Sequence, residues 1–157
     1  MAEFVRFEWK SSRTYIIQQG TRQGGALSPW LFLVFIDDLI EELQRTNAGI
    51  SLNTVYLGSP MFADNLTMLS RKKSGLDKML QTSWEYSNKW QFTFNIKKTV
   101  VLTYGENQEE HGTNRAIRKW KLGSLDISEK NTWSNLGKIW DTNKHSSAAV
   151  LSAVVRG

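Results

Sequence analysis

Ser28-Pro29 is followed by a large apolar residue at every fourth position, Leu31, Phe35, Leu39 and Leu43, with Phe32, Ile36 and Ile40 beside them. Residues so spaced gather on one side of an α-helix, whereas a strand would throw successive neighbours to opposite faces. Serine at the N-cap and proline at the first helical position set the start, and Asn47-Ala48-Gly49 marks the end. The pattern predicts one helix from Ser28 to about Asn47, with its Leu31–Phe35–Leu39–Leu43 stripe packed on a sheet. Asp37 and Asp38 resemble a catalytic acidic pair, but neighbours on a helix point about 100° apart and cannot share a metal. With Glu41 and Glu42 they belong to the solvated face.

The rest reads as short strands and one further helix. Residues 3–18 suggest two strands meeting in a hairpin around Lys10-Ser11-Ser12-Arg13, and Gly20 to Gly25 a loop. Strands are expected at 50–57, 60–63 and 66–70, with a tight turn at Asp64-Asn65. Ser74 and Asp77 have the spacing of a capping box, and Leu76, Met79, Leu80, Trp84 and Trp90 give the following helix an apolar side. Strands are then expected at 92–96, 99–104, 119–122 and 135–140. Glu106 to Thr113 contains no apolar residue and reads as a loop. The order of elements is α+β, not alternating βαβ.

Composition limits the chemistry. There is no Cys among the 157 residues and there are only two His, which excludes a disulfide scaffold, a thiolate zinc site and a Cys nucleophile. The longest apolar run, Trp30 to Ile36, is far short of the ~20 residues of a membrane span. Glu3, Arg6 and Glu8 interrupt any signal-peptide pattern. An intracellular chain, nuclear or cytoplasmic, is expected. The net charge of +5 is unevenly spread. Arg71, Lys72, Lys73, Lys78, Lys89, Lys97 and Lys98 face only Asp77 and Glu85, and Arg115, Arg118, Lys119 and Lys121 form a second cluster. Such clusters neutralise phosphates, although charge alone favours a plainly solvated surface.

Three stretches can carry chemistry. In Gln19 to Pro29, glycines allow close backbone approach to a nucleotide, Gln23 donates and accepts, and the helix start attracts phosphate. A glycine turn feeding a capped helix explains the same residues. In Met61 to Leu69, Asp64 at a hairpin tip suits Mg²⁺, while a simple turn also favours Asp and Asn. In Asn95 to Thr99 a lysine is placed to reach a pyrophosphate, or the stretch is a polar loop.

Taken in order, these stretches resemble the palm of a reverse transcriptase from a non-LTR (LINE-like) retrotransposon. Gly20-Thr21-Arg22-Gln23-Gly24-Gly25-Ala26-Leu27-Ser28-Pro29-Trp30-Leu31-Phe32 is very similar to that family's G-x-R-Q-G-x-x-L-S-P-x-L-F block. Phe62-Ala63-Asp64-Asn65 stands where the family has [FY]-A-D-D. Lys89-Trp90 through Asn95-Ile96-Lys97-Lys98-Thr99 is similar to K-W-x(4)-N-x-x-K-[ST], and Asn135-Leu136-Gly137 to the primer-grip turn. The resemblance implies a partial palm, an antiparallel sheet backed by two helices. It implies RNA-directed DNA synthesis on an RNA template and DNA primer with deoxynucleotide triphosphates, two Mg²⁺ ions and no membrane. Gln23 and Gly24 would touch nucleotide and template. Asp64 would bind metal, Lys98 would protonate the leaving pyrophosphate, and Leu136 and Gly137 would lie near the primer terminus.

Two departures from the family pattern matter. Family members carry another metal-binding aspartate on a strand upstream of the first block. Here the acids before Gly20 are Glu3 and Glu8, neither in a similar motif. Asn65 replaces a usual aspartate, removing one formal charge. Residues 1–157 are therefore expected to be a partial domain lacking fingers, the first catalytic motif and thumb, and inactive as it stands. The alternatives are a non-catalytic nucleic-acid-binding remnant and a functionless relic.

Overall fold

A computed structural model describes residues 2–16, 25–104, 119–142 and 150–154. The loop expected at Glu106–Thr113, most of the Gly20–Gly25 loop including Gln23 and Gly24, and Arg115 and Arg118 lie outside these residues. Two units make up the chain, Met1–Phe35 and Ile36–Gly157.

In the first unit, β1 (Ala2–Glu3) pairs antiparallel with β4 (Tyr15–Ile16), and β2 (Arg6–Phe7) with β3 (Lys10–Ser11). The expected hairpin is present, but it turns at Glu8-Trp9, earlier than the Lys10–Arg13 stretch. Val5 and Ser12 fix this register: the Ser12 N–H donates to the Val5 carbonyl at 2.8 Å, and the Val5 N–H donates to Ser12 Oγ at 2.9 Å.

Helix α1 spans Ser28–Arg45. It stops where Thr46 Oγ1 donates back to the Leu43 carbonyl and Asn47 takes the left-handed conformation, φ 54°. The apolar stripe is buried only in its second part: Ile36, Leu39 and Leu43 are enclosed, whereas Leu31 is 57 % exposed and Phe35 half-buried. The neighbour of this second part is α2 (Lys73–Trp90), which runs antiparallel to it. Glu42 lies 3.9 Å from Lys89, and Lys78 Nζ donates to the Thr46 carbonyl at 3.0 Å. Asp37 and Asp38 are exposed.

The capping box at the start of α2 does not form. Ser74 and Asp77 both lie inside the helix, and Asp77 pairs with Lys73 at 2.6 Å instead. Ser70 ties the entry down: its hydroxyl donates to the Ala48 carbonyl at 2.9 Å and accepts from the Lys72 N–H. Leu76, Met79 and Leu80 are buried along one side, as expected, and Trp90 is exposed.

Among the described residues, the second unit holds two two-stranded hairpins and one larger sheet. The hairpins are β5 (Ser51–Leu52) with β6 (Val55–Tyr56), and, later in the chain, β12 (Thr132–Asn135) with β13 (Lys138–Asp141). The single strand expected at 135–140 is thus a hairpin. The sheet takes β7 (Met61–Phe62), β8 (Asn65–Leu69), β9 (Val100–Leu102), β10 (Trp120–Leu122), β11 (Leu125–Glu129) and β14 (Val150–Val154), in the order β10-β11-β9-β14-β8-β7. All pairs are antiparallel except β9 with β11.

Residues 92–96 do not form the expected strand. Apart from an isolated bridge at Phe94 the segment is irregular, and it leads into a 3-10 turn at Ile96–Lys98. Thr99, itself buried, closes that turn by donating its hydroxyl to the Asn95 carbonyl at 2.9 Å. Helix α2 lies over β8 and β10. Its apolar side meets Leu66, Met68, Trp120 and Leu122, so the core sits between this helix and the sheet. Fully burying each such side chain is worth about 1.5–3 kcal/mol.

Candidate active site

The hairpin that carries Asp64 turns at Ala63-Asp64, one residue earlier than the expected Asp64-Asn65. Asn65 is the first residue of β8 and pairs with Phe62, while Leu66 pairs with Met61. The alternation along β8 forces this register. Leu66, Met68 and Ser70 point into the core, and a shift of one residue would expose all three. Two residues remain for the turn, and Ala63 occupies its first position with φ 52°. Beyond β7 the Thr67 and Leu69 N–H groups donate to the carbonyls of Pro60 and Gly58, which carries the ladder onward. The tip bearing Asp64 therefore rests on a rigid pair of strands.

Lys98 ends the 3-10 turn, two residues before β9, and is half-buried. Because β14 is antiparallel to both β8 and β9, those two strands run parallel and begin at the same end of the sheet. Ser152 of β14 is level with Thr67 on one side and Val100 on the other. Two residues further along, Val154 pairs with Asn65, while on the other side the register with β9 ends at Val100, two residues after Lys98. Two residues separated by more than thirty positions in sequence thus come to one end of one sheet.

The remaining candidates are placed differently. Leu136-Gly137 forms the turn of the β12–β13 hairpin, with φ 52° and 74°, and Leu136 is 58 % exposed. Positive φ at both positions is the signature of the tight turn that best fits strand twist. Arg71, Lys72, Lys73, Lys78, Lys89, Lys97, Lys119 and Lys121 are all exposed.

Asp64 and Asn65 themselves offer one carboxylate and one neutral amide, and Val154 is the register partner of Asn65. No group of three or more His, Cys, Asp or Glu side chains able to hold a metal ion occurs among the described residues. Mg²⁺ gives up its waters reluctantly and needs carboxylates or phosphates to replace them. These residues do not fit a two-ion site.

Reading the sequence for local pattern missed β14 altogether. The signal available was the β-branched run around Val150-Leu151-Ser152-Ala153-Val154-Val155, uncharged and long enough for a strand. No helix among the described residues is long and apolar enough to cross a membrane.

Comparison with known proteins gives a consistent assignment. Residues 1–140 match the family model described as reverse transcriptase (RNA-dependent DNA polymerase). The chain is 25 % identical over 130 residues to the Retrovirus-related Pol polyprotein from type-2 retrotransposable element R2DM of Drosophila melanogaster, covering 81 % of this chain and 12 % of that protein. It is 29 % identical over 95 residues to the corresponding polyprotein from type-1 retrotransposable element R2 of Popillia japonica, covering 60 % of this chain and 16 % of that one. The chain thus spans less than a fifth of either relative. No solved structure matches it significantly. An α+β chain with the sequence blocks of a non-LTR palm, matched by the family model over nearly its whole length, belongs to the reverse transcriptase (RNA-dependent DNA polymerase) family.

Proposed function

We propose that this chain is the palm part of an RNA-directed DNA polymerase and that it does not extend a primer by itself. One observation carries this reading: at the sheet end shared by Asp64 and Lys98, the turn offers a single carboxylate beside the neutral Asn65. In this reading the fingers, first catalytic motif and thumb belong to other segments of an intact polymerase. Gln23 and Gly24 contact nucleotide and template, and Leu136-Gly137 lies at the primer terminus. Lys98 is the proton donor to pyrophosphate when the donor set is complete. Positioning alone cannot replace charge neutralisation in phosphoryl transfer.

The test is primer extension on an RNA template with the purified chain in Mg²⁺ or Mn²⁺. No product above background is expected, and Asn65→Asp alone brings none. Extension by the chain, abolished in Asp64→Ala, would overturn the reading.

The exposed basic residues favour a second, compatible role in holding nucleic acid. Arg71, Lys72, Lys97, Lys119 and Lys121 all face solvent. Binding to a primer–template duplex should weaken by an order of magnitude or more between about 50 and 200 mM salt. A functionless relic shows no binding at the lower salt concentration.

A further inference from the structure

Two basic clusters that stand apart in the sequence, at 71–73 and 119–121, meet in the structure. Lys73 opens α2, and its Nζ lies 4.7 Å from the centre of the Trp120 ring at the start of β10. Glu129 holds that ring in place by accepting its indole N–H at 3.0 Å. Lys73 also pairs with Asp77 at 2.6 Å, so its charge is taken up within the chain and joins α2 to β10. Arg71 and Lys72 stand immediately before it, and Lys119 and Lys121 on either side of Trp120 in the chain; all four are exposed. Lys121 faces Asp126 in the β10–β11 register, but Arg71, Lys72 and Lys119 form no ion pair among the described residues. β10 is an edge strand of the sheet.

This patch lies away from Asp64. β8 starts beside Asp64 and ends at Leu69, roughly 13 Å further along at about 3.3 Å per residue, and Arg71 and Lys72 follow that far end. Lys97 and Lys98 precede β9 at the end where Asp64 stands. These cations therefore divide between two ends of the sheet.

The patch offers no ring on which a base can stack, because Trp120 is 3 % exposed and lies beneath Lys73. What remains is positive charge, which suits a sugar–phosphate backbone and carries no sequence information. A duplex presents that backbone most densely, with one charge per about 1.7 Å of axis.

We propose that Arg71, Lys72, Lys119 and Lys121 form a second nucleic-acid surface, separate from the Asp64 end, that grips the backbone of a duplex without regard to sequence. The choice of a nucleic acid over another polyanion rests on the polymerase reading. The patch gives the chain a hold on a duplex that does not pass through the site at Asp64.

The test is binding of a short, blunt, fluorescein-labelled RNA–DNA hybrid, followed by anisotropy from about 50 to 200 mM salt. Changing Arg71→Gln, Lys72→Gln and Lys119→Gln together should weaken binding at the lower salt by about tenfold or more. Each lost phosphate contact removes about 0.9 from the slope of log affinity against log salt, so the slope should flatten by roughly 2–3. Lys97→Gln, at the Asp64 end, should change the affinity by less than about threefold. A chain that keeps the charges, Arg71→Lys with Lys119→Arg, should bind like the parent. If the triple variant fails to melt cooperatively, Lys119→Gln alone should still flatten the slope by about one. Unchanged affinity in the triple variant overturns the proposal, and so does an effect of Lys97→Gln as large as the triple's. Equal affinity for a polyglutamate of matched charge, or for single-stranded oligothymidine, overturns it as well. A parent chain that binds no hybrid at the lower salt overturns the patch and leaves the polymerase reading standing, since primer extension tests that reading separately.

Discussion

Trp84 lies so close over Gly123 that a Cβ added to the glycine would run into the indole ring. Gly123 also has φ +60°, at the turn between β10 and β11. This contact pins the hairpin against α2. Gly123→Ala should lower stability by about 2–4 kcal/mol, combining left-handed strain with displacement of the ring. In a Trp84→Ala background only the backbone part should remain, about 1–2 kcal/mol. Urea unfolding of the four chains measures both.

Ser83 sits on the buried side of α2 with its side chain fully enclosed, and its hydroxyl has no hydrogen-bond partner among the described residues. A buried hydroxyl without a partner is destabilising, and alanine is the better helix former. Ser83→Ala should raise stability by about 1 kcal/mol, read as a higher urea midpoint at unchanged slope.

The Tyr86 hydroxyl is pushed up to about 12 by burial first and then by the carboxylates of Asp38 and Glu42. The ordinary value near 10 applies to the unfolded chain. Below about pH 10 both states hold the proton and stability is unaffected. Between pH 10 and 12 only the folded state keeps it, so stability falls as pH rises, by roughly 2–3 kcal/mol over the whole interval. Tyr86→Phe should show a shallower loss than the parent chain when urea midpoints are compared at pH 9 and pH 11.5.

At the β12–β13 turn, Leu136 holds a left-handed conformation that suits asparagine or glycine better. Leu136→Asn should stabilise the chain by about 1 kcal/mol. Gly137→Ala should destabilise by a similar amount through φ alone, since a Cβ there would touch nothing within 4 Å. Thermal melting of the two variants should therefore shift in opposite directions.

What the sequence disclosed follows the range of the interactions. The α1 boundaries were readable because period, proline and the Asn47 stop all act within a few residues. Its burial was not, since Leu39 is covered by residues distant in sequence and the period of the stripe does not reveal them. The Asp64 hairpin was visible, but its turn was misplaced by one residue because Leu66 and Met68 choose the register through the core. The expected strand at 92–96 failed because Thr99 closes a 3-10 turn on Asn95. For the site, the sequence blocks named Asp64 and Lys98 separately. That both stand at one end of the sheet follows only from β14, whose pairing is wholly non-local.

Every pair between β8 and β14 joins residues more than eighty positions apart. At about 5–20 residues per second, a ribosome completes β7 and β8 several seconds before the strand that joins them to β9 has been made. Until then the growing chain carries two open strand edges, each walled by apolar side chains. Its yield in a cell should accordingly depend on how well chaperones shelter those edges during translation.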